Sequence, residues 1–100
     1  MTDDARPRTV TGKYVLLPNP CTTRPCLPGM AYAIESGGQQ LFLTRAGRWS
    51  ASALTWGDFA PDVGDTVTVV GQVSQRTDVR GQPFFTIEVE SLVPGSSFER

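Results

Sequence analysis

The chain has 100 residues, of which 39% are hydrophobic and 19% charged, and these values predict a single globular domain with one modest core. Nine Lys and Arg residues against ten Asp and Glu residues give a formal charge of −1. This balance argues against a general coat protein for nucleic acids, because neutralisation of phosphates dominates the affinity of such proteins. Histidine, the most common general base and metal ligand, is missing, and so are a P-loop and a nucleophile elbow. We therefore expect a protein that is not an enzyme and uses neither a metal nor a cofactor.

The first third of the chain predicts a tail, a strand and a loop. Residues 1–8 are polar and are expected to form a disordered N-terminal tail. Residues 9–17 predict the first strand, which Pro18 ends. Residues 18–29 contain four prolines and both cysteines, so this segment must be a loop.

Residues 30–35 and 40–44 predict the second and third strands, joined by a hairpin turn at Gly37 and Gly38. Tyr32 shares a parity with apolar neighbours and is expected to face the core. Phe42 points away from its apolar neighbours in the third strand, so it is the better candidate for an exposed aromatic side chain, although it could also pack beneath the following segment.

Residues 46–63 show no clean alternation and predict a linker, with a short helix within residues 50–59. Trp49 and Trp56 in this linker are expected to be structural, since large apolar residues in a small protein are more often core than ligand platforms. Asp58, Asp62 and Asp65 do not have the spacing of a calcium-binding loop. Turn formation before the next strand is the expected role of Asp62 and Asp65.

Residues 66–74 and 84–92 predict the fourth and fifth strands, because both alternate apolar and polar residues. A glycine inside a strand often marks a bulge, so Gly71 is the expected bend of the fourth strand. In the fifth strand the alternation predicts that one set of residues faces inward (Phe85, Ile87, Val89) and the other set faces water (Thr86, Glu88, Glu90).

Three strands, a linker with a short helix and two further strands resemble the oligonucleotide/oligosaccharide-binding (OB) fold, a five-stranded Greek-key barrel. The resemblance covers residues 9–93 as a topology and residues 64–92 as a pattern, and SH3-like barrels share the Gly-Asp before a valine-rich strand. Trp49 after the third strand and the Pro-Asp-x-Gly-Asp of residues 61–65 are also similar to small bacterial OB proteins of the stress-related BOF type. The fold class implied is all-β, with a barrel at residues 9–93 and a C-terminal tail at residues 94–100.

The OB resemblance implies that ligands cross strands two and three and are held by the loops between strands one and two and between strands four and five. Arginines meet phosphates and aromatic faces stack bases, so a short single-stranded nucleic acid or another anionic oligomer is the implied ligand. The candidate ligand-binding residues are Arg24, Phe42, Arg45, Arg48, Arg76, Arg80 and Phe84. The alternative, favoured by the low net charge, is a protein-interaction or envelope-stress module that binds no nucleic acid.

Cys21 and Cys26 are the only cysteines, and their spacing leaves a structural disulfide, two free thiols and a metal or redox role open. Two thiols without histidine cannot complete a structural zinc site within this chain. The N-terminus has no apolar signal-peptide core and no apolar run approaches the length of a membrane span. We expect a cytoplasmic monomer with no membrane span, with a dimer left open, and an envelope location if an upstream signal has been removed.

Overall fold

The computed structural model describes residues 7–26, 29–46 and 61–95, and five β-strands form their framework. Each strand covers a segment in which the sequence alternates, so all five predicted strands are confirmed. Their ends coincide with the predicted ends or extend up to three residues further. The described residues contain no helix, and hence none long and apolar enough to cross a membrane. The helix predicted within residues 50–59 lies outside the described residues. The strands are β1 (Arg8–Pro18), β2 (Met30–Ser36), β3 (Gln39–Thr44), β4 (Thr66–Thr77) and β5 (Pro83–Pro94).

The five strands belong to one sheet in which each strand pairs with two others, in the order β1-β2-β3-β5-β4 and back to β1. The pairing of β3 with β5 is parallel, and every other pairing is antiparallel. The second half of β1 pairs with β2 and its first half with β4, so β1 joins the two ends of the strand order. Each of the five strands is thus hydrogen-bonded to two others along part of its length, and the sheet encloses a core.

The interior of the closed sheet holds the main core, to which all five strands contribute. Tyr32 packs against this core and stacks on Tyr14 with 4.9 Å between ring centroids, so the prediction that Tyr32 faces the core is confirmed. The alternation explains most of the set, because inward residues share a parity along each strand. In β5 this parity changes between Ile87 and Leu92, across the register shift opposite Gly71. The buried members are Tyr14, Ile34, Leu41, Leu43, Val67, Val69, Ile87 and Leu92.

A second apolar cluster lies on the other face of β2 and β3. Ala31 and Ala33 are completely buried there, and Phe42 is only 8% exposed. The expectation that Phe42 is an exposed aromatic is therefore wrong. Most of the segment beneath which it was alternatively expected to pack lies outside the described residues. Phe42 is adjacent in register to Ala33, whose small side chain leaves room for the ring on this face.

Gly71 lies at an irregularity in the pairing of β4 with β5, as a glycine inside a strand predicts, although the extra residue, Glu90, belongs to β5 and not to β4. The register shifts between Val70 and Gly71, which is how an extra residue in one strand of an antiparallel pair appears. A Cβ atom at Gly71 would collide with the backbone carbonyl of Glu88. The bulge thus depends on the close approach of two backbones, which only glycine permits at this position.

The outer residues of β5 are less exposed than the alternation predicts. Thr86 is buried and Glu88 is half-buried, so the expectation that both face water is wrong. The reason for Glu88 is local hydrogen bonding: its carboxylate accepts from the Thr44 hydroxyl and from the backbone N–H of Ala46, both at 2.7 Å. Glu90 is exposed, as predicted.

Candidate functional site

The β1–β2 loop and the β4–β5 loop meet at the main chain of Val79. The Val79 N–H donates to the carbonyl of Cys21 at 2.9 Å, and the Arg24 guanidinium donates to the carbonyl of Val79 at 3.1 Å. Both main-chain polar groups of one residue in the second loop are thereby bonded to the first loop. We call this contact, formed by Cys21, Arg24 and Val79, the loop junction.

The two cysteines shape the β1–β2 side of the loop junction. Cys21 and Cys26 lie at disulfide-bonding distance, with their Cα atoms 5.0 Å apart. Of the alternatives left open by the sequence, this geometry favours the structural disulfide. The short covalent loop encloses Arg24 and begins at the residue whose carbonyl binds Val79, so it restricts the part of the loop that carries the arginine.

The β4–β5 side of the loop junction is a turn organised by Asp78. One oxygen of its carboxylate accepts from the backbone N–H groups of Arg80 and Gln82, each at 2.9 Å. Backbone hydrogen bonds between Asp78 and Gln82 and from Gly81 to Asp78 complete the turn, and Gly81 supplies its positive φ of 84°. Arg80 therefore projects from a turn whose main chain is fixed.

Arg76 and Phe84 are directly opposite each other in the pairing of β4 with β5 and therefore share one face of the sheet. Phe84 is half-buried and meets Phe42 edge to face, with 6.0 Å between the ring centroids. A continuous row thus runs from the buried Phe42 through the partly accessible Phe84 to the exposed Arg76. Only the outer part of this row can touch a ligand.

The candidate ligand-binding residues that the structure describes therefore lie in separate parts of the sheet and its loops. Arg24 and Arg80 belong to the two contacting loops, and both are exposed. Arg45 is exposed at the end of β3, next to the position of Glu88 on β5. Glu88 is four residues from Phe84 along β5, so roughly 13 Å separate these two positions. Arg48 lies outside the described residues, as do the sequence-predicted positions of Trp49, Trp56 and Asp58.

The charge around the loop junction is positive although the chain as a whole is slightly acidic. Arg24, Arg76 and Arg80 are exposed on the two loops and the adjoining end of β4. The acidic residue of the β4–β5 turn, Asp78, is half-buried, and its carboxylate accepts backbone hydrogen bonds. Of the described charged groups on these loops, an anion would therefore meet mainly guanidinium groups.

Asp62 and Asp65 belong to a turn that directly precedes β4. The backbone N–H of Asp62 donates to the Asp65 carboxylate at 2.9 Å, the N–H of Asp65 donates back to the carbonyl of Asp62, and Gly64 has a φ of 99°. The predicted turn role of Asp62 and Asp65 is confirmed. Within residues 7–26, 29–46 and 61–95, no three acidic or cysteine side chains lie together as metal ligands would.

Two parts of this site were missed by the sequence reasoning. Asp78 carried a local signal, because an aspartate three residues before a glycine between two strands is typical of a turn. Val79 carried none, since it acts through its main chain toward a loop 55 residues earlier in the sequence.

In comparisons with protein-family models, curated proteins and solved structures, the chain has no match.

Proposed function

We propose that this protein is a non-catalytic binding module that holds a short anionic oligomer, most simply single-stranded nucleic acid, at the loop junction. The observation that carries the proposal is the double hydrogen bond of Val79 to Cys21 and Arg24. It joins two arginine-bearing loops through hydrogen bonds of the protein itself. A preorganised site loses less conformational freedom on binding than two independent loops would.

The architecture of the sheet supports assignment to the OB type. A five-stranded sheet that closes through β1, with β3 and β5 parallel, is the arrangement expected of a Greek-key barrel of this kind. In that fold the loops between strands one and two and between strands four and five grip the ligand. Those are the two loops that meet at Val79.

The proposed ligand-binding surface contains fewer residues than the sequence predicted. Phe42 and the two alanines of β2 are buried, so bases cannot stack directly on the middle of β2 and β3. Phe84 offers a partly accessible ring next to Arg76, and such a pair can combine base stacking with a phosphate contact. The proposed ligand-binding residues are therefore Arg24, Arg76, Arg80 and Phe84.

The test is a titration with a mixed-sequence single-stranded DNA oligonucleotide at low salt, followed by NMR amide shifts. We expect shifts concentrated on residues 21–26 and 76–84. Arg24→Gln and Arg80→Gln should each weaken binding by about two- to fivefold, the range of an exposed ion pair. Arg8→Gln is the matched control, because Arg8 is an exposed arginine at the start of β1, away from both loops. Equal losses for all three variants, or no shifts at millimolar oligonucleotide, would contradict the proposal.

The second candidate function is a protein-interaction or envelope-stress module. The cysteine pair at disulfide distance favours it, because such bonds persist mainly in oxidising compartments such as the cell envelope, and it thereby weighs against the cytoplasmic location. A partner protein recovered by cross-linking from an envelope fraction, together with an oligonucleotide titration that gives no shifts, would establish this alternative.

A further inference from the structure

A cavity of about 290 Å³ opens beside the start of β1. It lies between the start of β1, the β2–β3 turn, β3 and the paired segments of β4 and β5. Four of its lining residues belong to the main core or pack against it: Val10, Leu41, Val73 and Phe85. The interior of the sheet is therefore not sealed at this end, which we call the barrel mouth.

The apolar floor of the barrel mouth is the inner face of the sheet. Leu41 is 4% exposed, whereas Val10, Val73 and Phe85 are only partly buried although they point toward the same core. Phe85 faces this interior, while its neighbour Phe84 lies on the outer face, so the cavity is separate from the loop junction. Partly buried core residues around an open volume can gain further burial from an apolar ligand.

The polar residues at the rim of the barrel mouth include one positive charge. Among the described residues that line the cavity, Arg8 is charged and none is acidic. Gln39 and Thr9 are exposed beside it and add hydrogen-bonding groups. The Ser36 hydroxyl is already used, since it donates to the carbonyl of Thr11 at 2.8 Å. A guanidinium above an apolar floor is complementary to a molecule with a hydrocarbon body and one anionic end.

We propose that the barrel mouth binds a small organic carboxylate, with its hydrocarbon part on Val73 and Phe85 and its carboxylate toward Arg8. At roughly 30 Å³ for each water-sized group, the cavity holds about ten such groups, which limits the ligand to a single ring or a short chain. This site is independent of the proposed oligomer-binding function. A ligand of that size is expected to bind with a dissociation constant on the order of a millimolar.

The experiment is an NMR titration of the whole chain with hydrocinnamate and with hexanoate, followed through the methyl signals of Val10, Leu41 and Val73. We expect saturable shifts of these methyl groups. Hydrocinnamide, which has the same shape without the charge, should bind about two- to fivefold more weakly, because it loses an exposed ion pair with Arg8. Arg8→Gln should weaken hydrocinnamate binding to the level of the amide and leave amide binding unchanged.

Two controls keep the outcome interpretable. Arg80→Gln alters an exposed arginine outside the barrel mouth and should not change the affinity for hydrocinnamate. Gln39→Trp places a large side chain at the exposed rim without altering the core, so it should reduce the binding of both the acid and the amide. Absence of methyl shifts with both acids at tens of millimolar, or equal losses in Arg8→Gln and Arg80→Gln, would overturn the proposal.

Discussion

Gly71 illustrates how a single residue determines the path of a strand in this molecule. A Cβ atom there would lie 2.9 Å from the carbonyl carbon of Glu88 and 3.1 Å from Cγ1 of Ile87, and it would also collide with the Glu88 carbonyl oxygen. Backbone cannot give way as a flexible side chain can. The constraint at Gly71 is therefore the space between β4 and β5, not an unusual backbone dihedral angle.

Gly71→Ala is expected to lower the free energy of unfolding by about 1–3 kcal/mol, the usual cost of forcing an extra group into a packed position. Chemical denaturation followed by tryptophan fluorescence measures this change. Ser74→Ala, at an exposed position of the same strand, is the control and should stay within about 0.5 kcal/mol of the wild type. If Gly71→Ala were as stable as Ser74→Ala, the result would contradict the inference that β4 and β5 approach too closely at this position for a Cβ atom.

Asp78 is a second position at which one side chain organises its surroundings. Asp78→Ala removes the acceptor for the N–H groups of Arg80 and Gln82, so we expect a loss of about 1 kcal/mol of stability. Asp78→Asn keeps a side-chain oxygen of the same geometry and should retain most of the stability. Thermal unfolding of the two variants measures the difference. Identical melting temperatures for both variants would mean that the carboxylate oxygen does not hold the turn.

At the scale of elements, the β1–β2 loop combines a short covalent ring with hydrogen bonds to the opposite loop. Replacing both cysteines (Cys21→Ser with Cys26→Ser) should reduce the stability by about 2 kcal/mol, since the unfolded chain regains the freedom that the short ring removes. Oligonucleotide binding should weaken as well, because Arg24 would no longer be held toward Val79. The wild type in reducing buffer provides the comparison and should behave like the double variant.

A double variant as stable as the oxidised wild type would show that the two thiols are not joined in solution. A variant that is less stable but binds the oligonucleotide with unchanged affinity would instead separate the two roles of the loop. In that case the cysteines would stabilise the fold without positioning Arg24. Ellman titration of the unfolded wild type before and after reduction establishes the starting redox state in either case.

The elements could be predicted from the sequence because the signals for strands and turns are local. Alternation locates a strand, and the paired glycines Gly37 and Gly38 or a proline such as Pro18 locate its end. The second apolar cluster could not be predicted in the same way, since alternation distinguishes the two faces of β3 without showing whether both are covered. Phe42 and Thr86 were misjudged for this reason. The loop junction depends on a main-chain contact at Val79, and no side-chain pattern encodes such a contact.

At the scale of the whole molecule, the formal charge of −1 constrains how an anionic oligomer could bind. The overall field of the protein does not attract phosphates, so the affinity must come from the local arginines. Arg24, Arg76 and Arg80 can neutralise three phosphates. For single strands, three contacts correspond to a slope of about −2 in a plot of log affinity against log salt concentration.

We therefore expect oligonucleotide affinity to fall about twentyfold between about 50 and about 200 mM salt. Removing one arginine, as in Arg80→Gln, should make the slope less steep by about 0.7, whereas Arg8→Gln should leave it unchanged. Fluorescence anisotropy of a labelled single strand measures both quantities. Binding that does not respond to salt would indicate contacts of apolar surface instead of phosphate neutralisation, and it would favour the protein-interaction alternative, because burial of apolar surface is little affected by moderate salt.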